Sequence, residues 1–222
     1  TDLVLNFSSL TPQKISDEVI KELKSGLSCQ GKIQNLGISL ESISLSDEGY
    51  GILREILKTF KFLRTLNVNF SSSQISQDSF KGISEVWKIS KALTEISITM
   101  NNCQGITNDT FEHIKLALKP ISGLKNLSLI FNSCNQLTKD IFGHLEEFFG
   151  SSSLAYLHLS FANCEGMNDQ SLNKLKDGLK LLGGLQDIKL NFSNCEALTS
   201  NGLKYLREGL KRLTSLVNLD VA

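Results

Sequence analysis

The chain has 222 residues, 41% hydrophobic and 21% charged, the proportions of an ordinary globular protein and not of a disordered one. Its 23 basic side chains are balanced by 23 acidic ones, so the basic excess that draws a protein to nucleic acid is missing and no such partner is expected. No apolar run approaches the roughly 18 residues a spanning helix needs, and no charged-then-apolar leader opens the chain, so no membrane partner is expected either.

In chain order, LVLNF from Leu3 has the period-two alternation of a strand, and Ser16 then opens a helix with apolar Ile20, Leu23 and Leu27. The same unit returns. IQNLGISL from Ile33 precedes Ser46 with Tyr50, Leu53 and Leu57; LRTLNVNF from Leu63 precedes Ser76 with Phe80, Ile83 and Trp87. LTEISITM from Leu93 precedes Thr107 with Phe111, Ile114 and Leu118. The fullest strand phrases, LKNLSLIF from Leu124, LAYLHLSF from Leu154 and LQDIKLNF from Leu185, lead to Thr138, Asn168 and Thr199. Their helical stripes are Phe142, Leu145, Phe149; Leu172, Leu175, Leu179; and Leu203, Leu206, Leu210. LVNLDVA from Leu216 supplies an eighth strand.

The seven residues that open the helices fall 30, 30, 31, 31, 30 and 31 apart. Each has a short side-chain oxygen suited to cap a free N–H of the first helical turn. Four, seven and eleven residues after each of them, all 21 positions are apolar, the spacing of one helical stripe. A strand–turn–helix unit of this length cannot bury its own apolar face, so the units must stack. Parallel strands sit about 4.8 Å apart and packed helices about 8–10 Å apart, so the stack bends with the sheet inside. The expected fold is an α/β solenoid, a horseshoe with a concave parallel β-sheet and convex α-helices.

The recurrent LxxLxLxF…C…LT phrase followed by an amphipathic helix resembles the leucine-rich repeat family, nearest to its ribonuclease-inhibitor-like and cysteine-containing classes. The resemblance covers essentially the whole chain. It departs in the loop, where two residues more than usual separate the last strand leucine from the cysteine. Residues 1–222 are expected to form a single domain of about seven repeats. Thr1 and Ala222 fall in incomplete strands without polar caps, so the domain is expected to be a segment of a longer array, with continuation or self-association at its ends.

Cys103, Cys134, Cys164 and Cys195 recur 31, 30 and 31 residues apart in MNNCQGIT, FNSCNQLT, FANCEGMN and LNFSNCEALT, and Ser73 takes the equivalent place one repeat earlier. Repetition predicts a column of buried thiols lining successive turns, with Asn102, Asn163 and Asn194 bonding turn backbone beside them. A zinc site needs convergent ligands and a catalytic cysteine needs a histidine in reach; a parallel row beside no histidine offers neither. Free thiols in a reducing, cytoplasmic setting are expected. Five N-x-S/T sequons, at Asn6, Asn69, Asn108, Asn126 and Asn191, oppose that reading, but three of them are one repeated N-F-S phrase. His113 and His144 stack 31 residues apart with no carboxylate in their column, so no metal, cofactor or catalytic residue is expected.

Function is then expected on the outward strand positions. Most are small and polar; Ile130, Tyr156, His158, Asp187 and Lys189 differ, and supply aromatic, aliphatic and charged groups to anchor a protein partner. The expected function is a non-catalytic interaction scaffold. The alternatives are a structural subunit of a large assembly and a protein inhibitor of an enzyme; the latter would favour a strongly charged concave face, and these positions read as neutral.

Overall fold

The computed structural model describes residues 1–8, 16–27 and 31–222, and Cys29 lies outside the described residues. Among those residues eight strands alternate with seven helices. The strands are β1 (Asp2–Asn6), β2 (Asn35–Ser39), β3 (Thr65–Asn69), β4 (Glu95–Thr99), β5 (Asn126–Ile130), β6 (Tyr156–Ser160), β7 (Asp187–Asn191) and β8 (Asn218–Val221). The helices are α1 (Asp17–Leu27), α2 (Asp47–Leu57), α3 (Gln77–Val86), α4 (Asn108–Leu118), α5 (Ile141–Phe149), α6 (Asp169–Leu179) and α7 (Ser200–Leu210). All strands pair in parallel, in chain order from β1 to β8, in one open sheet. This is an α/β solenoid of the leucine-rich-repeat kind, with the sheet on its inner face and the helices outside.

Alternation decides which side chains go inside. Leu36, Ile38, Leu66, Val68, Ile96, Ile98, Leu127, Leu129, Leu157, Leu159, Ile188 and Leu190 are buried under the helices. Just past the strands, Phe131, Phe161 and Phe192 stack in a spine, with ring centroids 6.2 and 6.0 Å apart, and Phe111 and Phe142 pack on it from the helices. Truncating a spine phenylalanine to alanine would cost about 3–5 kcal/mol through lost burial and the cavity left behind.

The helical stripe is buried from α2 to α6, but at the two ends of the array Leu23, Leu27 and Leu210 are only half-buried and Leu203 is exposed. Leu172 of α6 is covered by α7 and is 1% exposed, whereas the equivalent Leu203 of α7 is 61% exposed. The fifth helix also differs from expectation. Thr138 does not cap it: α5 begins at Ile141 after Asp140, because Ile141, Phe142 and Gly143 donate to carbonyls three residues back and wind a tighter first turn.

Helix starts are tied from rung to rung. The first residue of one helix accepts hydrogen bonds from the start of the next: Asp17 from Ser46, Asp47 from the Ser76 and Ser79 hydroxyls at 2.7 Å, and Gln77 from Thr107 and Thr110 at 3.4 and 3.3 Å. Asn108 accepts from the Thr138 N–H at 3.0 Å, and Asp169 accepts from the Thr199 N–H and hydroxyl at 2.8 and 2.7 Å. The chain of ties breaks between α5 and α6, where Asp140 pairs with Lys174 and Asn168 instead forms a capping box with Ser171. Glycine at residue 49 makes room for one tie, since a Cβ there would lie 2.1 Å from Asp17 Oδ1.

Hydroxyl donors hold the carboxyls of Asp47 and Asp169 below the ordinary aspartate value, at Asp47 through Ser79 then Ser76, at Asp169 chiefly through Thr199. A folded value below the unfolded one contributes stability above the unfolded value, and that contribution is lost as pH falls through the folded one. Denaturation midpoints measured from about pH 6 down to pH 3 are therefore expected to fall less steeply for Asp47→Asn/Asp169→Asn than for the parent chain; parallel curves would refute the role of these ties.

Candidate functional site

The outward side chains of the sheet form three columns, because strand pairing runs with no offset from rung to rung. The first is Asp2, Asn35, Thr65, Glu95, Asn126, Tyr156, Asp187, Asn218. The second is Val4, Gly37, Asn67, Ser97, Ser128, His158, Lys189, Asp220, and the third is Asn6, Ser39, Asn69, Thr99, Ile130, Ser160, Asn191. Tyr156 and Asp187 are thus direct cross-strand neighbours, and so are His158 and Lys189. Ile130 is not among them. It pairs with Ser160, whereas Tyr156 pairs with Asn126 four residues back along β5, so roughly 13 Å of strand separates the two levels.

The four clustered side chains do not neutralise one another. Asp187 accepts from the Asn218 amide, and among the described residues Lys189 forms no ion pair and is exposed. His158 lies 3.2 Å from the Ser128 hydroxyl through Nδ1. Burial, then Lys189, push its imidazole below the ordinary histidine value, so it is neutral at pH 7. The outward positions therefore carry the carboxylates of Asp2, Glu95, Asp187 and Asp220 against the single ammonium of Lys189. This corrects the expectation of a neutral concave face: the chain as a whole is balanced, but the excess bases lie elsewhere. A depression of about 340 Å³ opens at the middle of this face, bordered by Asn67, Glu95, Ser97, Asn126, Ser128 and Tyr156.

The thiols stand in the expected column and are free and buried. Each donates to the carbonyl just past the strand of the preceding rung: Cys103 to Phe70 at 3.2 Å, Cys134 to Met100 at 3.0 Å, Cys164 to Phe131 at 3.1 Å and Cys195 to Phe161 at 3.1 Å. Burial drives the thiols up, Cys134 to about 12 and Cys164 to about 11, so thiolate is scarce and reactivity low. Ser73, in the same column, has a shorter reach. Its hydroxyl, and that of Tyr50 close by, are buried without a hydrogen bond of proper geometry.

The asparagines before the thiols act differently from expectation. Asn102, Asn163 and Asn194 hold left-handed backbone with φ of 54°, 56° and 58°, which asparagine tolerates better than most residues. Their side chains bond sideways, Asn194 to Asn163 at 3.0 Å and Asn102 to Ser72 at 3.4 Å. The turn backbone is met instead by Asn101 and Asn132, whose Oδ1 atoms accept the N–H groups of Asn132 and Ala162 at 2.9 and 2.8 Å. In the N-F-S phrases, Asn6, Asn69 and Asn191 accept the serine N–H two residues on. The recurrence of the sequon thus has a local cause in turn geometry.

His113 and His144 are half-buried on α4 and α5, and no group of three or more potential metal ligands occurs among the described residues. No described helix is long and apolar enough to cross a membrane.

No protein-family model matches the chain, and no curated protein matches it. Among solved structures it is similar to a chain in the crystal structure of the Rad7 and Elc1 complex in yeast, with 15% sequence identity, coverage of 94% of this chain and 72% of that one, and a TM-score of 0.27. So distant a likeness says nothing about partner or activity.

The thiol column generates two tests. A thiol reagent added to the native protein is expected to modify Cys103, Cys134, Cys164 and Cys195 only at the rate of unfolding; rapid stoichiometric labelling would contradict their burial. Cys164→Ser is expected to destabilise by about 1–3 kcal/mol by leaving a short buried hydroxyl unmet, and Ser73→Cys to raise the denaturation midpoint. Opposite signs would refute the thiol's role as a donor.

Proposed function

We propose that the chain is a non-catalytic scaffold holding a protein partner on its concave sheet, through Tyr156, His158, Asp187 and Lys189, with Ile130 at the far rim of the same face. The observation that carries this reading is the exposed, unpaired Lys189 beside a neutral histidine and a half-buried tyrosine, all fixed to two adjacent strands. A half-buried aromatic ring on a paired strand loses little freedom on binding, and an unpaired charge beside it is open to a partner, so together they make efficient anchors. The leucine-rich-repeat resemblance, of the ribonuclease-inhibitor-like and cysteine-containing kind, accords with it, since solenoids offer long concave binding surfaces. Four free thiols accord with a reducing compartment, the cytoplasm. The acid excess of the face also favours a second form of the same scaffold, an inhibitor directed at a basic enzyme.

Affinity capture with the parent chain, with Tyr156→Ala/His158→Ala, and with the helix-face variant Lys119→Ala/Glu147→Ala tests the reading. The partner retained by the parent and the helix-face variant is expected to bind the sheet-face variant at least about tenfold more weakly. Retention by the sheet-face variant, with loss on the helix-face variant, would overturn it.

A further inference from the structure

A second period is laid over the first outward column. Its order is acid, amide, hydroxyl, repeated: Asp2, Asn35, Thr65; then Glu95, Asn126, Tyr156; then Asp187, Asn218. In every case the asparagine turns its Nδ2 to the preceding acid, Asn35 to Asp2 at 2.6 Å, Asn126 to Glu95 at 3.4 Å, and Asn218 to Asp187. With one N–H of the amide used in this way, each pair offers two acceptors, the asparagine Oδ1 and the second carboxylate oxygen, beside the remaining N–H. Each pair also carries one negative charge. Three strand steps of about 4.8 Å put successive pairs roughly 14 Å apart.

We propose, resting on the concave-face reading above, that this column binds an extended polypeptide segment carrying lysine or arginine at every fourth residue and lying across the strands. The pitch selects the conformation. An extended chain advances about 3.3–3.4 Å per residue, so four residues span roughly 13–14 Å, and an even spacing keeps those side chains on one face. An α-helix repeats a face at seven or eleven residues, about 10.5 or 16.5 Å, and misses the pairs by some 3 Å either way. The charge agrees, with four outward carboxylates facing one lysine while His158 is neutral.

The middle pair is the strongest site. Glu95 and Asn126 border the 340 Å³ depression, where Ser97 and Ser128 are too small to block a long side chain and Tyr156, one strand beyond Asn126, offers a ring on the rim opposite Glu95. A cation held by a carboxylate gains further from an aromatic face. Lys189 lies next to the Asp187 pair and weakens the site at that end, while the Asp2 pair has no such neighbour in its register.

The test uses fluorescent serine/threonine peptides with three arginines, read by anisotropy at low ionic strength. Spacing of every fourth residue is expected to bind about tenfold tighter than spacing of every third or three in a row, since three exposed ion pairs act together. Glu95→Gln is expected to remove most of that preference with no change in melting temperature. Undetectable binding, indifference to spacing, tighter binding of a helical peptide, or a preference untouched by Glu95→Gln would each overturn the proposal. Spacing-indifferent binding that Tyr156→Ala/His158→Ala still abolishes would leave the concave interface standing; binding untouched by either change would overturn both.

Discussion

A parallel strand cannot meet its own backbone N–H and C=O groups, and in this chain they are met by the strand of the next rung, 30 or 31 residues away. The pairing continues beyond the sheet into the turns. The left-handed residues Ser42, Ser72, Asn102, Ser133 and Asn163 each donate their N–H to a carbonyl of the following rung at 2.8–2.9 Å. Past the turn the thiols reach back to the preceding rung, and at the helix starts Asp17, Asp47 and Asp169 reach forward to the next. A rung shifted by one residue would lose all of these bonds at once and turn its leucines outward. Zero offset is therefore the condition on which columns, spine and caps depend.

That same condition organises the surface. Side chains that point out of the sheet inherit the register of those that point in, so a group on one rung meets the group at the same position on the next. This is why acids and amides on neighbouring strands find each other, and why Lys189 lies between His158 and Asp220 in its column. Small residues fill much of the face, so the few large ones stand clear of their neighbours on a backbone that does not yield.

Much of this was legible before any coordinates, because stacking demands repetition and repetition is visible. The strand phrases, six of the seven helix starts and the thiol column follow from counting. What escaped was set by geometry within a rung. Ile130 and Tyr156 are on consecutive strands, yet belong to different columns, and only the pairing of Asn126 with Tyr156 separates them. The asparagines before the thiols announced a turn, but not that their backbone, more than their side chains, makes it. Thr138 had the side chain of a cap, and the tighter turn through Lys139 and Asp140 displaced the helix start past it. The acid excess of the face is legible in the outward strand positions themselves, where Asp2, Glu95, Asp187 and Asp220 outnumber Lys189, although the charge total of zero does not show it.

Repetition and its failures carry different information in such an array. The inward columns are uniform because packing punishes variation: leucine, isoleucine or valine recurs at every inner strand position from β2 to β7. Where they do vary, another variation lies next to it, as the hydroxyl of Tyr50 lies near the hydroxyl of Ser73 in the turn where later rungs place cysteine. The outward columns are under no such demand. A random choice of polar residues would satisfy solvent equally well, so an order of acid, amide and hydroxyl kept across eight strands is not required by the fold. The amide of each pair could as well face water as its neighbour's carboxylate. Its constant orientation toward the acid ties neighbouring strands together and at the same time exposes acceptors at a regular pitch, the pitch that the proposed basic segment would have to match.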